Sequence, residues 1–547
     1  MQWPTHEVSN QAPVLQDINL YTGDLALREG LGKMLGAERH ADLARLGASL
    51  GSAEVFELAD AANRHPPELH AFDCNGNRID RVEFHPAWHA LLALLRREGM
   101  QARAWLQPEP GAHLARAAGY FLHAQVESGS LCPITMTFAS VPVLQKEPAL
   151  FGQVAGKLAC AGHDPRDLPL EQKSAILVGM GMTEKQGGSD VRSNSSIARP
   201  VAAQGRGQPH LITGHKWFFS APMCDAHLVL ARTTQGLSCF WVPRWRPDGS
   251  KNAVLVQQLK DKLGNRSNSS SEVEFQDAWG LMVGDEGRGI PTIIEMANST
   301  RVDCVIGSAG LMRHALVQAI HHARHRSAFG KPLVRQALMR NVLCDLALES
   351  EAATHLMLRL AASLDRPDDP LERAWRRVLT PAAKFWICKR AIEFTGECME
   401  VRGGNGYVET GPMARMYREA PVNSIWEGSG NVMCLDVLRA IEREPEGFTI
   451  LLESLADSAR QQPQMAGLLN RVKQALDSGH ALESSARRLA QDLVLLVQCS
   501  LMMQHAPATI ADAFIASRTD AANGRVYGTM PAGHAEESIL ERAWPSC

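Results

Sequence analysis

The sequence predicts a mainly α-helical protein with one β-domain: an N-terminal helical domain, a middle antiparallel β-domain, a C-terminal helical bundle and a helical tail. At 547 residues the chain exceeds the size at which one hydrophobic core stops growing, so several domains are expected. Apolar residues recur at three- and four-residue spacings in the first and last parts, and in short alternating segments between them. The predicted bounds are 1–178, 179–282, 283–442 and 443–547.

The composition argues against several classes of protein. Hydrophobic residues make up 45% and charged residues 21% of the chain, as in an ordinary globular protein. The 12 cysteines include no C-x-x-C pair, which argues against a zinc ribbon or a secreted disulfide scaffold. The first residues lack the regions of a signal peptide, and no apolar run reaches the length of a membrane span. We therefore expect a cytoplasmic protein with no membrane partner.

The N-terminal domain is predicted to be helical after an irregular lead rich in Asn, Gln, Pro and Thr. Residues 84–97 and 111–128 show helical spacing of apolar side chains. Residues 131–137 join two helical patterns, and Pro133 is well placed near a helix start.

The β-domain is predicted from segments rich in Val, Leu, Trp and Phe that are separated by turn signals. A hairpin turn is expected at Thr213-Gly214, leading into an aromatic strand. The strand candidates are 211–219, 226–231, 237–242, 253–259 and 271–275.

The C-terminal bundle is predicted from longer helical patterns. Apolar residues from Val302 to Ala323 form one face of a helix that runs to about Arg326. Further helices are expected at 334–364, 370–400 and 430–442, with the loop 403–406 between the last two, and the tail is expected to be helical at 482–503 and weaker after Thr519.

One carboxylate stands out as a candidate general base. Glu427 follows Ile425 and Trp426, and apolar neighbours reduce the hydration of a carboxylate, which raises its pKa. Glycines follow at once, so a planar ligand could approach the backbone closely. The alternative is an ordinary glutamate near a helix start, where the helix dipole favours negative charge.

Three other stretches could hold a flat, phosphate-bearing cofactor, and each has a plainer interpretation. The run 182–190 is rich in Gly, hydroxyls and an amide, which suits the edge of a flavin or an ordinary surface loop. The aromatic run 217–220 could line a cofactor or pack in the core. Arginines at 324 and 326 could bind a pyrophosphate or cap a helix in solvent.

The order of these motifs resembles the acyl-CoA dehydrogenase family. The run Thr183–Asp190 is similar to T-E-P-G-A-G-S-D, Trp217–Ser220 to W-I-T-N, and Arg326–Gly330 to R-x-x-F-G. Residues 262–266, 284–289 and 402–407 resemble K-L-G-x-R, G-x-E-G-x-G and L-G-G-x-G-Y, and Glu427-Gly428-Ser429 falls where many members carry the catalytic E-G-T. A run of ordered motifs is more specific than any one of them.

The resemblance implies a fold, a cofactor and a reaction. It implies FAD, an acyl-CoA substrate, Glu427 as the base that removes the α-proton, and a homodimer or homotetramer in which Arg326, Gly403 and Gly404 hold the FAD diphosphate and adenosine of a neighbouring subunit. Ser189 and Arg301 are implied to contact the substrate. The residues implied to hold FAD are Met182, Thr183, Gly188, Ser189, Trp217, Phe218, Phe219, Ser220, Arg326, Phe329, Gly403, Gly404, Asn423, Ser429 and Asn431.

Three residues depart from the family pattern. Glu400 stands where a glutamine is expected near the adenine end of FAD. The other two departures bear on turnover. Phe219 stands where members often have a threonine near flavin N5, and Asn298 stands where many have an aspartate that contacts substrate. Both changes predict weak turnover with flavin binding retained.

The details further resemble the AidB-type adaptive-response branch, through the Lys-Gln-Gly-Gly core at 185–188, the runs 129–137 and 215–220, the run 423–436, and the long lead and tail. That branch is linked to DNA alkylation damage and implies double-stranded DNA binding. Residues 301–440 hold 19 Lys and Arg against 15 Asp and Glu, whereas residues 441–547 hold 9 against 13. A DNA site is therefore expected on the bundle rather than on the acidic tail.

A histidine cluster and two further functions stay open. His321 and His325, at i,i+4, could clasp a metal, although with no fitting partner we expect a solvated or DNA-facing stripe that includes His314 and His322. The alternatives to a weak dehydrogenase with a DNA role are a fully active dehydrogenase for short or branched acyl groups and a flavin oxidase of nitroalkanes.

Overall fold

The structure is a computed structural model, and it describes residues 4–477, 482–519, 526–527, 530 and 535–544. Its backbone forms two compact units. The bundle unit comprises Met1–Ala53, His113–Val126 and Cys304–Cys547, and the sheet unit comprises Glu54–Ala112 and Glu127–Asp303. Each unit is assembled from segments that are separate in the sequence, whereas the predicted domains are consecutive stretches. The predicted domain bounds therefore stay a prediction.

Helices dominate the described chain, as predicted. The α-helices are α1 (Leu25–Leu31), α2 (Ala37–Leu50), α3 (Ala53–Arg64), α4 (Pro86–Arg97), α5 (Arg103–Leu106), α6 (Ala112–Ala124), α7 (Leu131–Leu144), α8 (Pro148–Ala159), α9 (Gly289–His325), α10 (Ala337–Leu364), α11 (Pro370–Ala374), α12 (Thr380–Val401), α13 (Gly404–Tyr407), α14 (Pro412–Asn423), α15 (Gly430–Arg443), α16 (Pro445–Gln461), α17 (Pro463–Asp477), α18 (Leu482–His505), α19 (Ala508–Thr519) and α20 (Glu536–Ala543).

The strands confirm the predicted β-domain. Six of the described strands were not predicted: two at the start of the β-domain, two before it and two after it. The described strands are β1 (Glu68–Phe72), β2 (Arg78–Glu83), β3 (Val178–Gly181), β4 (Ile197–Pro200), β5 (Pro209–Ser220), β6 (Ala226–Thr233), β7 (Gly236–Pro243), β8 (Val254–Leu259), β9 (Ser270–Val283), β10 (Ser327–Ala328) and β11 (Lys331–Pro332).

The main sheet is mixed, so the prediction of an antiparallel domain is wrong in part. Its order is β3-β6-β4-β5-β9-β7, with β8 paired to β9. Strand β3 runs parallel to β6, whereas β5 with β9 and β6 with β7 are antiparallel. The pairing of β6 with both β4 and β7 closes a ring of five strands around a core that includes Ile212, Phe240 and Phe275.

Two local predictions in this unit are wrong. Thr213-Gly214 is not a hairpin turn: it lies inside β5, where the register with β9 shifts at a bulge. Residues 68–83, predicted as part of a helical domain, form the antiparallel hairpin β1–β2.

The bundle unit contains a helix that the sequence prediction missed. Helix α14 begins with Pro412 and buries Met413, Met416 and Ala420, which recur at three- and four-residue spacing. It ends at Asn423, and α15 begins at Gly430. The residues between them, 424–429, are called the Glu427 loop below. None of the described helices is long and apolar enough to cross a membrane.

Candidate active site

In the sheet unit, backbone hydrogen bonds hold the polar run 182–190 against strand β5. The Trp217 amide donates to the Thr183 carbonyl at 2.9 Å. The Lys185 amide donates to His215 Nε2 at 3.0 Å, and the Asn194 side chain donates to the Met182 carbonyl at 2.7 Å. The structure therefore brings the predicted residues Met182, Thr183 and Trp217 together.

A buried ion pair fixes the same two segments. Lys216 Nζ lies 2.8 Å from Glu184 Oε1, and both side chains are fully buried. Glu184 also accepts hydrogen bonds from the backbone amides of Ser195 and Ser196. Burial lowers the pKa of Lys216 to about 8. Burial acts to raise the pKa of Glu184, but the Lys216 charge and the hydrogen bonds outweigh it and hold that pKa well below its usual range.

Sequence reasoning did not single out this pair. The signal that could have found it is Lys216 itself, a charged residue on the same side of strand β5 as the buried Ile212. A lysine at such an inward position needs a partner for its charge, and the polar run 182–190 contains the carboxylate of Glu184.

The aromatic run 217–220 divides between the site and the core. The register between β5 and β9 shifts between Lys216 and Phe219, so a bulge lies at the aromatic residues. Phe218 is 55% exposed, and Trp217 is half-buried with Lys260 Nζ 3.6 Å from its ring centroid. Phe219 is buried and stacks on His227, with ring centroids 4.0 Å apart.

The remaining predicted residues of the sheet unit lie in different surroundings. Ser189 and Gly188 are exposed, and a Cβ on Gly188 would lie 2.4 Å from Thr183 Oγ1, so the loop is tightly folded there. Ser220 is half-buried at the end of β5. Arg301 is buried on α9 and donates to Asn298 Oδ1 at 3.0 Å.

In the bundle unit, Glu427 occupies an unusual backbone conformation. Its φ is +58°, in the left-handed region that residues other than glycine rarely adopt, and Gly428 follows with φ +108°. Glu427 is half-buried, whereas Ile425 is 64% exposed and does not itself bury the carboxylate. Such a backbone costs of order 1 kcal/mol and persists only where surrounding contacts hold it, as at many functional sites.

Side-chain hydrogen bonds hold the start of the Glu427 loop. The Trp426 indole donates to Asn423 Oδ1 at 2.9 Å, and Asn423 Nδ2 donates to Ser308 Oγ at 3.0 Å. Both the oxygen and the nitrogen of the Asn423 side chain are therefore already hydrogen-bonded, to Trp426 and to Ser308. At the end of the loop, Ser429 precedes α15, and Asn431 Oδ1 accepts from Arg487 Nε on helix α18 at 2.8 Å.

Among the predicted diphosphate residues of the bundle unit, Arg326 contacts the N-terminal lead. Arg326 Nη1 donates to the Asn10 carbonyl at 2.6 Å, and the Ser327 amide donates to Asn10 Oδ1 at 2.7 Å. Phe329 is 98% exposed. A Cβ on Gly403 or Gly404 would meet no atom within 4 Å. Sequence reasoning missed the contact between Asn10 and Arg326 because the two residues lie far apart along the chain.

The donors in the two units have the chemistry that FAD needs. Hydroxyls of Thr183, Ser189 and Ser220 suit the many acceptor atoms of a flavin edge. Arg326 carries a guanidinium and Gly403 and Gly404 offer open backbone, and both features suit a diphosphate. The residues present therefore fit the cofactor.

The histidine cluster on α9 is not one exposed stripe, so that expectation is wrong. His314 and His322 are buried, and burial lowers their pKa values to about 3 and about 4. Only the neighbouring pair extends outward: His321 Nε2 lies 2.9 Å from the Pro13 carbonyl, and His325 is exposed. Within the described part of the chain, no group of three potential metal ligands forms a metal site.

Three family models match successive parts of the chain. Residues 10–165 match the adaptive response protein AidB N-terminal domain, residues 179–278 the acyl-CoA dehydrogenase middle domain and residues 287–442 its C-terminal domain. The chain is 48% identical over 527 residues to the putative acyl-CoA dehydrogenase AidB of Escherichia coli K12, with 96% of each chain covered. The chain belongs to the acyl-CoA dehydrogenase family.

Solved structures of acyl-CoA dehydrogenase relatives share the fold. Caenorhabditis elegans ACDH-11, solved in complex with C11-CoA, matches with a TM-score of 0.84 and 25% identity over 99% of this chain and 93% of its own. An acyl-CoA dehydrogenase of Bacillus anthracis complexed with FAD matches in fold, with a TM-score of 0.60 and 15% identity over 84% of this chain and 86% of its own. Acyl-CoA dehydrogenases are flavin-dependent oxidoreductases acting on CH–CH bonds, so the predicted enzyme class and FAD cofactor are confirmed.

Proposed function

We propose that this AidB-type acyl-CoA dehydrogenase removes the α-proton of an acyl-CoA thioester with the Glu427 carboxylate. The observation that carries the proposal is the left-handed backbone of Glu427, in a loop whose start is held by the side-chain hydrogen bond between Trp426 and Asn423. A thioester α-proton is only weakly acidic, so the base must be held within hydrogen-bond reach of it. FAD, when bound, supplies the acceptor for the β-hydride.

The other predicted site residues have binding roles in this proposal. In the sheet unit, Met182, Thr183, Gly188, Trp217, Phe218 and the backbone near Phe219 and Ser220 hold the flavin, and Ser189 and Arg301 orient the substrate. In the bundle unit, Arg326, Phe329, Gly403 and Gly404 bind the diphosphate and adenosine of a neighbouring subunit's FAD in a homotetramer, and Asn423, Ser429 and Asn431 lie beside the cofactor.

Turnover is proposed to be weak for two reasons. The Phe219 ring is buried against His227 and brings no hydroxyl to the flavin. Asn298 brings no negative charge where relatives have an aspartate, and its amide oxygen is already bonded to Arg301. Both features remove polar groups that could act on the reacting atoms.

A DNA-binding role in the cytoplasmic response to alkylation damage is the second part of the proposal. Arginines of the tail are engaged with carboxylates: Arg518 with Asp345 at 2.7 Å, and Arg471 with Asp492 at 3.0 Å. The proposed contacts to DNA phosphates are therefore made by arginines of the C-terminal bundle. Exposed basic residues there that form no ion pair with other described residues are Lys331, Arg335, Arg373 and Arg439.

The visible spectrum of the FAD-loaded protein tests the dehydrogenase proposal. Acyl-CoA thioesters of short, medium and long chains are added without oxygen, with Glu427→Gln as the control. We expect one or more thioesters to bleach the flavin band of the wild type and none to bleach that of Glu427→Gln. A flavin that no thioester bleaches would contradict the proposal and favour the DNA-binding role alone.

A further inference from the structure

We propose that Lys384 is a positioning residue for Glu427 and that it fixes the Glu427 loop by bonding to carbonyls on both sides of the base. This inference rests on the proposed function, in which Glu427 is the base. Lys384 lies on α12 and is 1% exposed. Its ammonium donates to the Asn423 carbonyl at 3.0 Å and to the Gly428 carbonyl at 2.8 Å.

The two carbonyls lie on either side of the base in the sequence. Asn423 is the last residue of α14, and Gly428 directly follows Glu427. One ammonium group therefore sets the separation between the end of the helix and the residue after the base. A shift of either carbonyl lengthens a bond to a buried cation, which resists displacement because it has no water to replace that bond.

The charge of Lys384 suits this position. The carbonyls at the end of a helix have no partner within the helix, and the helix dipole places negative charge there. Within the described residues Lys384 has no carboxylate at ion-pair distance, so the loop carbonyls are what stabilises its charge. This distinguishes it from Lys216, whose partner is the carboxylate of Glu184.

The backbone between the two carbonyls needs an external restraint. Glu427 and Gly428 both have positive φ, and a side chain at such a residue changes direction when the backbone relaxes to a commoner conformation. The Trp426 and Asn423 side chains hold the start of the loop. Lys384 adds the connection to Gly428, beyond the base.

The test replaces Lys384 by methionine, which keeps an unbranched side chain and removes the donor. Lys384→Gln is the second variant, since its shorter amide cannot reach both carbonyls and it remains polar if the methionine variant does not fold. Lys389→Met is the matched control. Lys389 lies on the same helix as Lys384 and its side chain lies beside Gly430, but among the described residues it donates no hydrogen bond to the loop.

Hydrogen exchange of the peptide spanning 424–429 is the readout that needs no substrate. We expect exchange there to rise about tenfold or more in the folded Lys384 variant, with the rest of the bundle and Lys389→Met unchanged. Unchanged exchange at 424–429, or a rise spread evenly over the bundle, would overturn the proposal.

Anaerobic flavin reduction by octanoyl-CoA is the second readout. Because a misplacement of 1 Å can cost about 100-fold in rate, we expect the limiting rate to fall by roughly 10- to 100-fold in the Lys384 variant. The apparent Kd for octanoyl-CoA should change by less than about threefold, since Ser189 and Arg301, which are proposed to orient the substrate, lie outside the loop. An equal rate in the two proteins would contradict the positioning role. If octanoyl-CoA fails to reduce the wild type, the proposed function loses support, and the exchange experiment alone decides on Lys384.

Discussion

At the residue scale, one buried lysine in each unit holds a segment that carries predicted site residues. Lys216 neutralises Glu184 and so holds the polar run 182–190 against the aromatic strand. Lys384 bonds to backbone carbonyls around Glu427. Burying an ammonium group costs free energy unless the group is hydrogen-bonded. Each lysine therefore holds its bonding partners, and the segment that carries them, in one position.

Replacement of Glu184 by Gln is predicted to destabilise the protein strongly. The change leaves the Lys216 ammonium buried without its counter-charge, a loss of about 3 to 5 kcal/mol in the free energy of unfolding. Urea unfolding measures that free energy. The double variant Glu184→Gln with Lys216→Met should recover part of the loss, and a single variant as stable as the wild type would contradict this account of the pair.

The same pair predicts how stability depends on pH. Glu184 has a lower pKa in the folded than in the unfolded protein, so its contribution is present above about pH 4.5 and is lost as the pH falls toward its folded pKa. The difference in unfolding free energy between wild type and Glu184→Gln should therefore shrink as the pH is lowered from about 6 to about 3.5. A constant difference across that range would show that the contact with Lys216 does not lower the pKa of Glu184.

At the element scale, the N-terminal lead and the end of α9 form one structure. Asn10 accepts from Arg326 and exchanges bonds with the backbone of Ser327. Since Arg326 is also proposed to bind the FAD diphosphate, the lead helps to orient the side chain that carries this charge.

Replacement of Arg326 by Ala is predicted to weaken FAD binding. A hydrogen bond to a charged group is worth about 1.5 to 3 kcal/mol, so the Kd for FAD should rise by roughly 10- to 150-fold. Equilibrium dialysis or the quenching of flavin fluorescence measures this Kd. Arg335→Ala, an exposed arginine after the same helix, is the control, and equal affinities in both variants would remove Arg326 from the FAD site.

At the scale of the whole molecule, the tail is an integral part of the bundle unit. Arg542 on α20 bonds to Glu351 on α10 at 2.8 Å and to Glu29 on α1 at 2.5 Å. Arg518 on α19 is buried between Asp345 and Glu349. These arginines stabilise the fold and are not available to phosphate groups.

The proposed DNA binding through the C-terminal bundle, residues 283–442, should respond to arginines of that bundle. Combined replacement of Arg373 and Arg439 by Ala should weaken binding to duplex DNA and reduce the slope of log affinity against log salt, by about 0.9 for each phosphate that the protein no longer neutralises. Arg460→Ala in the tail should leave both unchanged, because Arg460 is paired with Asp457. Fluorescence anisotropy at several salt concentrations distinguishes these results, and a larger effect of Arg460 would place the site on the tail.

Local patterns in the sequence predicted many of the helices and five of the eleven described strands, β5 to β9, because periodicity reflects which face of an element is buried. The hairpin 68–83 was missed although Asn75-Gly76 is a turn signal, since its strands alternate weakly and are only partly buried. Parallel pairing of β3 with β6 depends on a distant segment, which periodicity does not reveal. Motif order predicted Glu427 as the base and named residues for FAD, and these assignments stay a prediction. The inward position of Lys216 was a signal in the sequence that was not used, whereas the contacts of Lys384 and Asn10 join residues far apart in sequence and could be seen only in the structure.

The most direct test of the central claim is exchange of the α-protons of an acyl-CoA with solvent deuterium. The FAD-loaded protein is incubated with octanoyl-CoA in D2O, and proton NMR follows the α-methylene signal. Proton removal does not require completed turnover, so exchange is expected in the wild type even where flavin reduction is slow, and it should be lost in Glu427→Gln. Equal exchange in both proteins, or none in the wild type with octanoyl-CoA bound, would contradict the assignment of Glu427 as the base.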